Sequence, residues 1–324
     1  MKNPFSDSEN TALTPWQQRV YQQALATLHA GRLGHGLLLC GPRGIGKRNV
    51  ALHLAMQVLN QGQDEHTRLR NQQLLAAGTH PDLQFISLLP NKSGDKLRSE
   101  IVIEQVRELS HRLTLTPQYG AAQVVIIDPA DAINHAACNA LLKTLEEPAD
   151  GRYLWLLSAE PARLPQTIRS RCQRLEFRLP PYAESVAWLQ QNGHDPISSK
   201  EALAAARGHP ALAQHWLAGE GMALRRQVAA ELQQLAVTQM GSVELAQRWV
   251  ADEQVDLRLH HAADWALEQA RNSLTQPAYL HTLAQWFDAA NHTRDLLRGP
   301  LRADLAMAEL LHAWAVAHRL SARA

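Results

Sequence analysis

Short apolar runs alternate with amphipathic stretches through the first half of the chain, and the alternation stops near residue 178. The runs cover residues 37–40, 83–88, 124–127, 153–158 and, more briefly, 174–177. Bounded apolar runs of this length read as buried strands. Between them lie segments of helical spacing: residues 49–59 place Val50, Leu52, Leu54, Ala55 and Val58 as a partly buried helix requires. Strands alternating with helices imply a parallel sheet covered on both faces.

After Leu179-Pro180-Pro181 the chain becomes rich in Ala, Leu and Gln, with Trp at helical intervals, and β-branched runs disappear. The second half is therefore expected to be all helical. Gly208-His209-Pro210 and Gly219-Glu220-Gly221 break it, so residues 183–218 should form a small unit of about three helices. Longer amphipathic stretches follow, interrupted at Gln276-Pro277 and Gly299-Pro300, and they carry Trp249, Trp265, Trp286 and Trp314. Tryptophans at such spacing are expected in a core or an interface rather than stacked on nucleic-acid bases.

Composition narrows the functional classes. A formal net charge of +1 argues against nucleic-acid binding through bulk charge, although a local basic face stays open. No apolar run approaches the length of a membrane span, and residues 1–12 are polar without the apolar core of a secretion signal, so the expectation is a cytoplasmic, membrane-free protein. Cys40, Cys138 and Cys172 lie far apart in apolar or motif contexts, which suits reduced, buried thiols. His260 and His261 are adjacent, so their side chains are not expected to share a helix face, and both read as scattered surface or core residues.

The candidate chemistry begins at Gly41-Pro42-Arg43-Gly44-Ile45-Gly46-Lys47-Arg48, between an apolar run and a helical stretch. Gly41, Gly44 and Gly46 have the spacing of a loop that wraps phosphates with backbone N–H groups, and Lys47 supplies the point charge for the β- and γ-oxygens. The Ser or Thr hydroxyl that would ligate Mg²⁺ is replaced by Arg48. A guanidinium cannot coordinate a metal cation, and its fixed charge repels one. The run 124–127 then ends in Asp128, the place of the acid that holds Mg²⁺ in P-loop ATPases. The next residue, where hydrolysing enzymes carry a Glu that orients water, is Pro129. Proline has no side chain capable of that work. Both departures favour a loop that binds ATP or ADP weakly or not at all and a chain that does not hydrolyse it.

Two further segments, Asn139-Ala140-Leu141-Leu142-Lys143-Thr144-Leu145-Glu146-Glu147-Pro148 and Leu164-Pro165-Gln166-Thr167-Ile168-Arg169-Ser170-Arg171-Cys172, carry a resemblance. Together with Ala77-Gly78-Thr79-His80-Pro81-Asp82 they resemble the clamp-loader branch of the AAA+ ATPases, over most of residues 15–215. The resemblance implies an α/β plus all-α fold: a flexible segment at 1–14, a RecA-like P-loop domain at 15–178, a small helical lid at 179–219 and a helical collar at 220–324. Gly299-Pro300-Leu301 to Trp314 fits the last collar helix of that branch.

It also implies a ring in which ATP lies between neighbours. Arg171, framed by Ser170 in the Ser-Arg-Cys motif, matches the arginine that reaches the phosphate bound by the next subunit. Implied partners are the gamma/tau and delta subunits of such a loader, a sliding clamp, and primed DNA touched through a few phosphates. Two departures matter. ATP-hydrolysing members carry four zinc-binding cysteines between the P-loop helix and the Thr-His-Pro-Asp segment, whereas residues 60–76 contain none, so no zinc is expected. The sensing arginine that follows a Gly-Ser pair in the lid is missing from Gly208-His209-Pro210-Ala211. Two alternatives stay open: an ATP-hydrolysing gamma-type subunit with unorthodox residues, and a P-loop kinase or transferase, for which the helical half offers no acid-base cluster.

Overall fold

The computed structural model describes residues 12–91, 94, 97–237, 241–273, 275–297 and 302–321, with side chains to 317. Most of the expected flexible segment, and the break at Gly299, Pro300 and Leu301, lie outside the described residues. The chain divides into two compact units, Met1–Pro180 and Pro181–Ala324.

The first unit runs α1 (Pro15–His29), β1 (Gly36–Cys40), α2 (Lys47–Leu59), α3 (Glu65–Ala76), β2 (Leu83–Ile86), α4 (Ile103–Leu113), β3 (Gln123–Ile127), α5 (His135–Glu146), β4 (Arg152–Ser158), α6 (Gln166–Arg169) and β5 (Gln173–Glu176). The strands form one sheet in the order β2-β3-β4-β1-β5, with every pairing parallel. Burial explains which runs are visible in the sequence. Every residue of β1 and β3 is buried, so both show apolar runs, at 37–40 and 124–127, with Gln123 a buried polar start to β3. The two edge strands are only partly covered, and β5, in which Leu175 is the buried residue, runs Gln173–Glu176, one residue earlier than the apolar run suggested.

One face of the sheet packs Leu38, Val125, Ile127, Leu154 and Leu156 against α4, α5 and α6. Helix α4 buries Val106, Leu109 and Leu113, a spacing that fits one helical stripe. Helix α5 starts at Asn134, whose side chain accepts the Ala137 N–H at 2.9 Å. Such a cap contributes about 1 kcal/mol and fixes where the helix begins. Between α2 and β2, residues 60–82 are tied by buried and partly buried polar contacts. Asn71 donates to Asn60 at 2.9 Å and meets the His80 ring at 3.1 Å, while Asp82 accepts the N–H groups of Gln118 and Tyr119, each at 2.8 Å. Burial pushes the His80 imidazole below its ordinary range, with Asp82 opposing.

The second unit is helical throughout its described residues: α7 (Tyr182–Gln191), α8 (Pro196–Ala205), α9 (Pro210–Ala218), α10 (Gly221–Val237), α11 (Ser242–Ala251), α12 (Val255–Asn272), α13 (Pro277–Leu296) and α14 (Ala303–Ser321). It holds two apolar clusters. The first gathers Leu189, Leu203, Ala213 and Trp216, with Met222 of α10 reaching back into it. The second gathers Leu232, Trp249, Leu259, Trp286, Leu311 and Trp314. Trp249, Trp286 and Trp314 are core residues, and their indole N–H groups donate to Glu231, Leu310 O and Leu232 O. Trp265 is partly buried against the same core.

The histidine pair has a shared partner that the sequence did not indicate. Both rings pack on Trp216, with centroids 5.4 and 4.7 Å from it and 5.7 Å from each other. Adjacent positions on a helix diverge by about 100°, which separates their directions but still lets one bulky ring from another helix touch both.

Candidate functional site

The loop after β1 is held from beneath by α1. The Trp16 indole N–H and the Gln17 amide both donate to Ile45 O, at 3.0 and 3.2 Å, and Asn49 donates to Gln17 at 3.1 Å. This support demands glycine at position 46. Its φ is +101°, and a Cβ there would lie 1.8 Å from the Gln17 amide nitrogen. Gly46 ends the loop as the residue preceding α2, with no side chain to cap the helix.

Lys47 is buried, and its ammonium donates to Gly41 O at 2.6 Å and Pro42 O at 2.8 Å. Burial pushes the lysine below its ordinary range, opposed by the carboxylates of Asp128 and Asp131. The lysine is thus folded back on the loop that would present it to a phosphate.

Arg48 and Asp128 form an ion pair between the start of α2 and the end of β3. Arg48 Nε lies 2.7 Å from Asp128 Oδ2, with the side chains 40% and 21% exposed. The guanidinium also lies 5.9 Å from the centre of the Phe85 ring. The acid at the end of β3 is therefore neutralised by a cation from the chain itself. Pro129 follows, and Asp131 is fully occupied nearby: its carboxylate accepts the Ser158 hydroxyl and the N–H groups of Ala159 and Glu160, at 2.8 and 3.2 Å for the latter two. That carboxylate clamps the end of β4 rather than orienting water.

Gly41, Gly44, Gly46, Lys47, Arg48 and Asp128 thus converge at the C-terminal ends of β1 and β3. Ser170 and Arg171 do not join them. They follow α6 and lie by the opposite end of β1, where a Cβ on Gly36 would stand 3.2 Å from Arg171 O. A strand of this length puts about 13 Å between its ends. The Ser-Arg-Cys motif divides its work. The Ser170 hydroxyl bonds Thr167 O at 3.2 Å and tightens the turn, and Cys172 is buried in the core, its thiol pushed up to about 11 by burial. Arg171 between them is exposed, with Nη1 on Thr167 O at 2.9 Å and Nη2 at 2.6 Å from Glu146 Oε1.

Gln17, Asp131 and Glu146 were not singled out in the sequence. No local pattern marks Gln17 or Asp131, whereas Glu146 stood in a motif quoted for another reason.

A five-stranded parallel sheet with this loop after β1, an acid after β3 and helical domains following defines an AAA+ type P-loop protein. The family model described as DNA polymerase III, delta subunit, matches residues 16–181. DNA polymerase III subunit delta′ of Pseudomonas aeruginosa is 39% identical over 235 residues, covering 70% of this chain and 68% of that protein. The delta′ subunit of Escherichia coli strain K12 is 35% identical over 195 residues, covering 59% of this chain and 56% of its own. A DNA polymerase III subunit gamma/tau of Mycobacterium bovis is 33% identical over 171 residues, or 51% of this chain and 28% of that one. The chain belongs to the delta′ family of DNA polymerase III subunits. Among the described residues no helix is long and apolar enough to cross a membrane.

Proposed function

We propose that this chain is the non-hydrolysing member of a clamp loader, a cytoplasmic subunit that braces the ring and supplies Arg171 to the nucleotide held by its neighbour. Its partners on this reading are gamma/tau and delta subunits, a sliding clamp, and primed DNA contacted through a few phosphates. Its own loop needs neither nucleotide nor zinc.

The observation that carries this reading is the Arg48–Asp128 pair. In a hydrolysing P-loop enzyme the acid at the end of the third strand and a hydroxyl after the lysine share Mg²⁺. Here the acid is occupied by a guanidinium, the hydroxyl is absent, and Pro129 takes the place of the base. Lys47 spends its donors on the loop's own carbonyls. Support for a role in trans comes from Arg171, which is exposed at the far end of β1, away from the chain's own loop. An arginine finger spreads N–H donors over the charge that develops on a transferring phosphoryl group, so supplying it from a neighbour makes hydrolysis depend on assembly.

The test is reconstitution with the ATP-binding partners. The isolated chain should show no Mg²⁺-dependent ATPase. Arg171→Ala should leave the chain folded and assembled, since an exposed arginine contributes under about 1 kcal/mol. The site facing it should lose on the order of a thousandfold, so total ATPase falls in part and clamp loading falls further. Arg171→Lys should restore little, because an ammonium lacks the planar fork. Unchanged ATPase and loading in an intact complex would remove Arg171 from the mechanism.

A further inference from the structure

Arg171 is held within this chain by acceptors on two different helices. Its Nη2 pairs with the Glu146 carboxylate at 2.6 Å, and its Nη1 donates to Thr167 O at 2.9 Å. Both mounts are fixed. Glu146 is the last residue of α5, and the preceding Leu145 is buried so closely over the start of β1 that a Cβ on Gly36 would stand 2.9 Å from it. The carbonyl of Leu145 meets the His35 ring at 2.9 Å, which fastens the end of the helix further. Thr167 sits beside the buried Ile168.

The placement of Glu146 is unfavourable for its own helix. A carboxylate at a helix C-terminus faces the negative end of the macrodipole, and Glu147 adds a second one. Helix stability therefore gives no reason for an acid here, whereas a nearby arginine does. The pair is also weak by construction, with side chains 36% and 48% exposed to water. Exposed pairs of this kind hold by a factor of about 1.5 to 5. A phosphate accepting charge-assisted, two-pronged hydrogen bonds holds an arginine more tightly than that.

We propose that Glu146 is a holding residue for Arg171: it keeps the guanidinium on this chain until a neighbour's nucleotide phosphate displaces the carboxylate. This inference rests on the reading of Arg171 given above. The contact biases a local equilibrium between a held and a released arginine, and only the released form can reach across to a neighbour. The bias is small enough for a correctly placed phosphate to overcome and large enough to lower idle turnover.

The experiment uses the full chain assembled with its ATP-binding partner subunits, comparing wild type, Glu146→Gln, Arg171→Ala and the double variant. Steady-state ATPase is measured alone and with clamp and primed DNA, and assembly is checked by gel filtration. Glu146→Gln is nearly isosteric at an exposed site and should fold and assemble normally. It should raise the idle rate about two- to fivefold and leave the clamp- and DNA-stimulated rate unchanged, so the ratio of stimulated to idle rate falls. In the Arg171→Ala background the same change should do nothing, because its effect passes through the arginine. A fall in both rates with Glu146→Gln would mean that the carboxylate aims the arginine rather than withholding it, and would overturn the proposal. So would an unchanged idle rate, or a rise that persists without Arg171. If Arg171→Ala itself alters neither rate, the underlying reading fails first and the holding role goes with it.

Discussion

Replacing Arg48 with Thr should open the loop to Mg²⁺-nucleotide without making the chain an ATPase. The substitution removes the cation that pairs with Asp128 at 2.7 Å and supplies the missing hydroxyl ligand. Two like charges about 5 Å apart at an effective dielectric near 20 repel by about 3 kcal/mol, and a divalent ion doubles the effect. Arg48 is 40% exposed, so solvent screening brings the usable gain down to about 1–2 kcal/mol. That corresponds to roughly tenfold in affinity for Mg²⁺-nucleotide, before counting the new ligand. The cost to the fold is small. A partly exposed ion pair is worth at most about 1 kcal/mol, which lowers Tm by about 2–4 °C for a unit of this size. Calorimetric titration with ADP and ATP, with Mg²⁺ and with a chelator, reads the result: weak or no binding for wild type, and Mg²⁺-dependent binding for Arg48→Thr. Turnover should stay at background, because Pro129 cannot orient water. Tight Mg²⁺-nucleotide binding by wild type would refute the claim that Arg48 closes the metal position, and brisk hydrolysis by Arg48→Thr would refute the assignment of Pro129 to the place of the base.

Three other outcomes follow from the packing. Glu231 accepts from Trp249 at 2.7 Å, Arg248 at 2.8 Å and Arg258 at 3.3 Å inside the helical unit, so Glu231→Ala strands buried donors and should cost about 3–5 kcal/mol in urea unfolding, whereas a loss under about 1 kcal/mol would show the network to be dispensable. Gly46→Ala should destabilise by about 1–3 kcal/mol, and adding Gln17→Ala should recover only part, since the second change relieves the clash but leaves the left-handed backbone; full recovery would mean that the clash was the whole effect. His261 is buried, and burial pushes its imidazole down to about 3, so below pH 6.5 the unfolded chain binds a proton that the folded chain refuses. Stability contributed by this group is therefore complete above pH 6.5 and lost as pH falls toward 3, reaching about 2 kcal/mol of loss by pH 5. His261→Phe should flatten the pH dependence of urea midpoints between 7 and 5, and an unchanged slope would show that the ring titrates freely.

The central strands were legible because β1 and β3 are buried along their whole length and, after Gln123 at the start of β3, carry only apolar residues and glycine. The glycine loop after β1 was legible because Gly41, Gly44 and Gly46 all take positive φ, which fixes their spacing in the sequence. Arg48 and Pro129 could each be read as a substitution, but the Arg48–Asp128 contact joins positions far apart in sequence, and only the pairing of β1 and β3 on either side of β4 brings them together. Gln17 illustrates the harder case: an ordinary amide on an ordinary helix, given its task by the backbone carbonyl it meets. The packing of His260 and His261 on one Trp216 ring was not legible, because helix geometry limits what one helix presents and not what a neighbouring ring can cover.

The loop and Arg171 occupy opposite ends of one five-residue strand, which gives the domain a direction. Units joined so that one end of each meets the other end of the next make a head-to-tail row, and such a row either closes on itself or continues. On the proposed reading this chain can give at one end and cannot receive at the other. A row containing it therefore has fewer working junctions than members and an unambiguous first position.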